Sequence, residues 1–271
     1  MGPTLAIRDG ERGLIAKCFA GCNGRDVFAA LKQWRMIGST GPGNGTLRHF
    51  ADRSSDDAAR LAAARRIWDR AREASGTPVA DYLGGRGITM PIPLSLRWAP
   101  ALRRPDGIRG PAMVAIIEHI ERGVVGVHRT WLGREDGAPR WRRRDRATLG
   151  PIGGGAVRLA PAGELLMIGE GIETCLAAMQ ATGLPAWAAL STSGMVALVL
   201  PPLPRDATVM ILADHDANGA GERAARAAAA RWLAEGRRVR IAMPPEPGSD
   251  FNDVLMGRAY AGITEPNHAG A

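Results

Sequence analysis

The chain has 271 residues, 45% of them hydrophobic, a formal net charge of +8 and three Cys. That length and composition suit one large or two modest globular domains with a real core, and argue against a disordered chain. Three Cys are too few for a disulfide framework, no apolar run reaches the roughly 18–20 residues of a membrane span, and the opening MGPTLAIRDGERG lacks the apolar stretch of a secretory signal, so a cytoplasmic protein with no membrane partner is expected.

Residues 1–25 read as two short strands and a Cys-bearing turn, followed by an amphipathic helix from Asp26 to Trp34. Ile37 to Asn44 is a Gly/Pro/Ser linker. Ser54 to Ala74 predicts a long Ala/Arg helix, with Asp56 and Asp57 in the first turn where the helix dipole favours acid. Val79 to Leu83 predicts another short helix, broken by Gly84, Gly85 and Gly87. Ala112 to Ile120 and Val124 to Trp131 predict an antiparallel strand pair. Gly133 to Thr148 reads as an Arg-rich loop and Ala156 to Leu159 as a short strand. The charge surplus is local, since Arg97 to Arg146 holds 12 Arg against 6 Asp and Glu. A polyanion-binding surface needs such a surplus; a solvated face is the plainer alternative.

From Glu164 onward strands and helices alternate. Strands are predicted at Leu165–Gly169, Ala186–Leu190, Val209–Ala213 and Val239–Met243. Helices are predicted at Ile172–Thr182, Met195–Leu200, Gly221–Glu235 and from Phe251. Apolar strands separated by helices imply an α/β fold with a parallel-type sheet covered on both faces. In such sheets the working residues collect at the carboxyl ends of the strands. Glu170 stands there, between two glycines, and Asp214 and Asp216 follow the third strand. In extended chain Asp214 and Asp216 project the same way and His215 the other. Asp250 and Asp253 come after a Pro/Gly loop. Clustered carboxylates repel unless a cation sits between them, and a hard ion such as Mg²⁺ or Mn²⁺ resolves that repulsion. Asp216 and Asp250 can also be read as helix caps.

The order strand-Glu-Gly-helix, then strand-Asp-x-Asp-x-x-Gly-helix, then Asp-Phe-Asn-Asp, resembles the Toprim family. Toprim is the fold of bacterial-type DNA primases, type IA and II topoisomerases and some nucleases. The resemblance covers about residues 78–257 and is nearest the primase-like branch of phages, plasmids and integrative elements. It implies that Glu170 serves acid–base work or metal, that Asp214 and Asp216 bind Mg²⁺ or Mn²⁺, and that Asp250 and Asp253 are accessory acids. Gly13 to Cys22 is similar to the second half of a primase zinc ribbon, which implies Zn²⁺ at Cys18 and Cys22. A structural zinc site wants four ligands, and the family's first Cys/His pair is expected upstream of Leu5, so the ribbon is expected to be partial. Arg129, Arg140, Arg142, Arg143, Arg144 and Arg146 fit contacts to nucleoside triphosphates or to single-stranded DNA, with Trp131 and Trp141 available for stacking.

The expected organisation is a partial ribbon (1–36), linker and helix (37–77), a basic α+β module (78–160), the Toprim domain (161–258) and a tail (259–271). The function the resemblance implies is a DNA primase, a nucleotidyltransferase making RNA primers on single-stranded DNA, with a replicative helicase among the partners it implies. A Toprim nuclease and a non-catalytic remnant that binds DNA or helicase are the alternatives. Gly41 to Thr46 lacks the Lys-Ser/Thr of a P-loop, so no motor is attached. A topoisomerase needs a nucleophilic Tyr in a separate DNA-gate domain; the chain has only Tyr82 and Tyr260 and no room for that domain.

Overall fold

The computed structural model describes residues 5–10, 13–18, 24–34, 53–134, 138, 140–204, 207–215 and 219–257. The Ile37–Asn44 linker, Cys22 and Asp216 lie outside the described residues. The chain divides between Asp56 and Asp57 into two compact units. In the first, β1 (Leu5–Gly10) and β2 (Gly13–Cys18) form an antiparallel hairpin, with Leu5 opposite Cys18. Helix α1 (Gly24–Gln33) packs on β2 and buries Leu31.

Helix α2 (Arg53–Arg70) leads into the second unit. It stops short of the expected Ala74 because β3 (Arg72–Glu73) pairs with β4 (Leu96–Arg103); a strand partner overrides a modest helix preference. Strand β4 was not expected. Pro100 marks against a strand, yet it sits where the β4–β5 register shifts between Ala99 and Leu102, a place where its missing N–H costs no ladder bond. Helix α3 (Pro78–Gly84) begins as the sequence dictates. Thr77 accepts the Val79 N–H at 3.2 Å, and Pro78 fills the first turn.

Strands β5 (Arg109–His119) and β6 (Gly123–Gly133) pair antiparallel, and β7 (Arg142–Leu149) adds a fifth strand. The expected loop from Gly133 to Thr148 is therefore half strand. Its Arg side chains suit an exposed edge, where charge discourages further strand addition. The sheet order is β3-β4-β5-β6-β7.

The second sheet contains β8 (Val157–Arg158), β9 (Leu165–Gly169), β10 (Ala186–Ala188), β11 (Thr208–Leu212) and β12 (Arg238–Ala242), in the order β12-β11-β9-β10-β8. Four strands are parallel; edge strand β8 runs antiparallel to β10. Helices α4 (Ile172–Thr182), α5 (Thr192–Ala197), α6 (Ala220–Ala234) and α7 (Phe251–Leu255) complete the unit. Helix α5 starts earlier than expected, because Ser191 caps it by accepting the Gly194 N–H at 2.9 Å.

One apolar cluster joins the two sheets. It runs from Met113, Ile117 and Leu132, through Tyr82 and Leu83 of α3, to Cys175 and Leu176 of α4 and on to Met167 and Leu212. A second cluster fills the opposite face of the parallel sheet under α5 and α6, and a third joins α2 to the back of the antiparallel sheet. Helix α4 is thus buried around most of its circumference, as a helix between two sheets must be.

Its packing depends on Gly169: a Cβ there would lie 2.8 Å from Cys175 Sγ. Gly169→Ala is expected to lower stability by about 1–3 kcal/mol, measured by urea unfolding. Combined with Cys175→Ala, the two costs should fall short of additivity by at least about 0.5 kcal/mol; strict additivity would sink this packing account.

Candidate functional site

Strands β9 and β11 are neighbours, with Ile168 opposite Ile211 and Gly169 opposite Leu212. Glu170 follows Gly169 directly and Asp214 follows Leu212 after Ala213, so both leave the carboxyl end of the sheet from adjacent strands. The backbone stays ordered past both strand ends. Leu190 N–H donates to the Glu170 carbonyl at 2.9 Å, and Ala213 N–H donates to the Ala242 carbonyl at 2.9 Å. Leu190 holds φ at 70°, the one described non-glycine residue in the left-handed region. Such a conformation persists only where surroundings enforce it, and here the bond to Glu170 and the capped start of α5 do so.

Beyond Asp214 the chain is tied to the loop before α7. Gly248 N–H donates to the His215 carbonyl at 2.6 Å, and His215 Nδ1 lies 2.9 Å from the Pro244 carbonyl. His215 is thus engaged at the loop. Asp250 and Asp253 form a capping box on α7. Asp250 accepts the Asp253 N–H at 2.8 Å, and Asp253 accepts the Asp250 N–H at 3.3 Å. Asp250 also pairs with Arg86 at 3.4 Å. Asp250 and Asp253 thus both act as helix caps.

The Arg residues divide by strand face. Val127, Arg129 and Trp131 of β6 lie on the side packed toward α2, while His128 and Thr130 lie on the side toward α4. Arg129 stacks on Trp131 at 5.0 Å and donates to the Thr148 carbonyl at 3.2 Å. Arg146 is opposite Thr130 and Arg143 opposite Leu132, so both project toward α4. Arg143 is close enough to act electrostatically on Tyr82 and His128, and Arg146 on His128. Arg140 passes Gly85 after α3. Arg142 and Arg144 are exposed, Arg144 lying over Gly133. Cys18 ends β2 in the other unit.

Comparison with known families assigns both halves of this unit. Residues 165–260 match the Toprim domain. The chain carries a Toprim domain. Residues 58–159, ahead of it, match a domain of unknown function, DUF7146. Among solved structures, the chain is similar to a DNA primase domain from Pseudomonas aeruginosa, at 17% identity over 73% of this chain and 74% of that one, with a TM-score of 0.43. It is similar to the Aquifex aeolicus primase, zinc-binding and RNA polymerase domains, at 16% identity over 96% and 77%, TM-score 0.45. It is also similar to the primase fragment of the bacteriophage T7 primase-helicase protein, at 18% identity over 60% and 63%, TM-score 0.41. No curated protein matches the chain. No helix among the described residues is long and apolar enough to cross a membrane.

Among the described residues no three of His, Cys, Asp and Glu converge as a metal group. The Toprim strand ends supply two carboxylates, Glu170 and Asp214. Their all-oxygen chemistry fits a hard divalent ion and not a soft one.

Four residues around the Toprim helix α4 escaped sequence reading. Tyr82, buried on α3, donates its hydroxyl to Glu173 Oε1 at 2.6 Å. Glu173 stands in the first turn of α4, just past Glu170. Burial, then the adjacent Glu173, push the Tyr82 hydroxyl far up, so it stays a donor. Arg86 meets Asp250, and its carbonyl accepts from Asn252 Nδ2. His128 is buried beside this group. Only Arg86, set among glycines at 84, 85 and 87, left a mark in the sequence; the others look like ordinary core and helix residues.

Burial lowers the His128 pKa from 6.5 to about 4, with Glu173 opposing and Arg146, Arg129 and Arg143 assisting. The unfolded chain therefore takes up a proton that the folded chain refuses until lower pH. Stability contributed by neutral His128 is complete above pH 6.5 and drains away as pH falls toward about 4, by up to about 1.4 kcal/mol per pH unit. His128→Gln is expected to flatten that part of the pH–stability curve, followed by urea unfolding; an unchanged slope would rule His128 out as its source.

Proposed function

We propose that the chain is a primase-type nucleotidyltransferase that makes RNA primers on single-stranded DNA during replication of a phage or other mobile element. The observation that carries this reading is the pairing of two opposed surfaces. Glu170 and Asp214 leave the same sheet end, and the α4-facing side of the antiparallel sheet presents Arg143 and Arg146.

Glu170, Asp214 and Asp216 would hold Mg²⁺ or Mn²⁺, with Asp250 and Asp253 flanking. When bound, the ion supplies charge neutralisation on phosphate oxygens and a more acidic 3′-hydroxyl. The protein's own part is placement and electrostatics. Arg143 and Arg146 draw triphosphate or template phosphate toward the acids. Tyr82 fixes Glu173, and with it the first turn of α4 directly after Glu170. The Arg86–Asp250 pair holds α7 near the loop that follows α3. A Cys18–Cys22 thiolate pair would add zinc-dependent template reading only with two further ligands. A helicase is a fitting partner for such a primase, in the cytoplasm.

The deciding assay incubates the protein with Mg²⁺ or Mn²⁺, single-stranded DNA and labelled ribonucleotides. Short labelled products are expected, falling about 100-fold or more in Asp214→Ala and Glu170→Gln. Strand cleavage without synthesis would instead identify a Toprim nuclease. DNA binding without either would identify a non-catalytic remnant.

The face assignment predicts a division among the Arg residues. Arg143→Ala and Arg146→Ala should each weaken binding of single-stranded DNA and reduce the salt slope by about 0.7 where a phosphate contact is lost. Arg129→Ala should lower thermal stability and leave that slope unchanged. Equal salt slopes for all three variants would contradict the assignment.

A further inference from the structure

A cavity of about 550 Å³ opens along edge strand β8, lined in part by Leu94, Glu118, Ile120, Arg158, Pro161 and Trp187. It lies beside the amino end of β10, where Leu159 N–H donates to the Ala186 carbonyl at 3.2 Å. Glu170 and Asp214 belong to the opposite, carboxyl ends of the strands. Trp187 is buried and fixed, its indole N–H donating to the Ala160 carbonyl at 2.8 Å. The Arg158 guanidinium lies over this indole, 4.8 Å from the ring centroid. The stacking presets the plane of the guanidinium. Leu94 stands at the rim, 89% exposed.

The charges in this cavity are unusual. Glu118 bridges Ala156 across the two sheets, and Arg158 follows two residues along the same strand. Both side chains therefore share one face as diagonal neighbours, roughly 7 Å apart at Cβ. Both are half-buried, and Arg158 Nε is buried without a hydrogen-bond partner among the described residues. A buried guanidinium N–H left without an acceptor is costly, and the carboxylate beside it offers acceptors of its own. A ligand that offers acceptors to one and donors to the other removes the cost.

We propose that this cavity binds a guanine base. Guanine is flat and apolar on its faces, which suits walls of Leu94, Ile120 and Pro161. Its O6 and N7 form one acceptor edge that a guanidinium meets with two N–H groups, as Arg158 can. The neighbouring edge carries N1–H and the exocyclic amino group, two donors for the Glu118 carboxylate. Adenine reverses this pattern, with an amino donor in place of O6 and no N1–H. A site built from these two charges accepts guanine and rejects adenine, because adenine leaves both partly unpaired. The volume admits a nucleoside as well as a base. The guanine can come from a free nucleotide or from a nucleic-acid strand.

The test is calorimetric titration of the intact chain with GMP and AMP in the presence of EDTA, so that divalent ions at the acidic strand ends contribute nothing. GMP is expected to bind at least about tenfold more tightly than AMP, and Glu118→Gln to abolish that preference. Leu94→Asp, at a rim position with no core role, should weaken GMP binding without shifting the thermal unfolding midpoint. Asp214→Ala should bind GMP as the unaltered chain does, which keeps this result separate from the fate of the primase reading. Deoxythymidine oligomers carrying one guanine or one adenine then identify the source. Displacement of GMP by the guanine oligomer assigns the site to a strand, and failure to displace it assigns the site to a free nucleotide. Absence of GMP binding, equal binding of GMP and AMP, or GMP binding undiminished in Glu118→Gln would each overturn the proposal.

Discussion

The parallel pairing of β9 with β11 is the constraint on which the rest of the site depends. Its register, Gly169 opposite Leu212, delivers Glu170 and Asp214 to one sheet end from adjacent strands. Backbone hydrogen bonds fix that register, and a shift by one residue would send each buried side chain into the core on the opposite face, whose packing does not match it. Gly169 then matters for a steric reason. Without a Cβ it lets α4 lie close on the strand end, so that the helix begins immediately after Glu170 and Glu173 reaches Tyr82.

Helix α4 is also the joint between the two sheets. Its apolar side chains enter a core shared with α3 and the antiparallel sheet. Its polar ones stitch the chain segment after α3 to the Toprim domain. Gln180 accepts the N–H groups of Thr89 and Met90 at 2.6 and 2.9 Å and donates to the Gly87 carbonyl at 2.8 Å. Arg86, between these anchors, meets Asp250, and Asn252 of α7 donates back to the Arg86 carbonyl. A single segment thereby holds α4 and α7 together. The hydrophobic core brings the two sheets together over α4, and the directional hydrogen bonds set how the helices between them are aligned.

Much of this organisation was legible in the sequence. The alternation of apolar strands and helices after Glu164 gave β9 and α4 with their boundaries and placed the other strands within a residue or two. Glycine-flanked Glu170 and the Asp214 segment stood out because strand ends are where parallel sheets collect chemistry. The antiparallel half was harder. Pro100 concealed β4, and the Arg run of β7 resembled a loop because an edge strand needs little apolar content when its partner supplies the pairing. The Arg cluster was visible as charge, but its division into two faces was not.

The sequence by itself determined the fold class, the parallel sheet and the acids at its carboxyl ends, because periodicity and chain breaks are local properties. Which of those acids also cap α7, which Arg side chains look toward α4, and that Tyr82 bonds Glu173 within electrostatic reach of buried His128 were decided only by the tertiary structure. Residues such as Tyr82 and Glu173 lie 91 positions apart. Their meeting depends on two sheets closing over one helix, and no local pattern in the chain encodes that closure. The same holds for Glu118 and Arg158, whose opposite charges share a cavity through an isolated bridge between sheets.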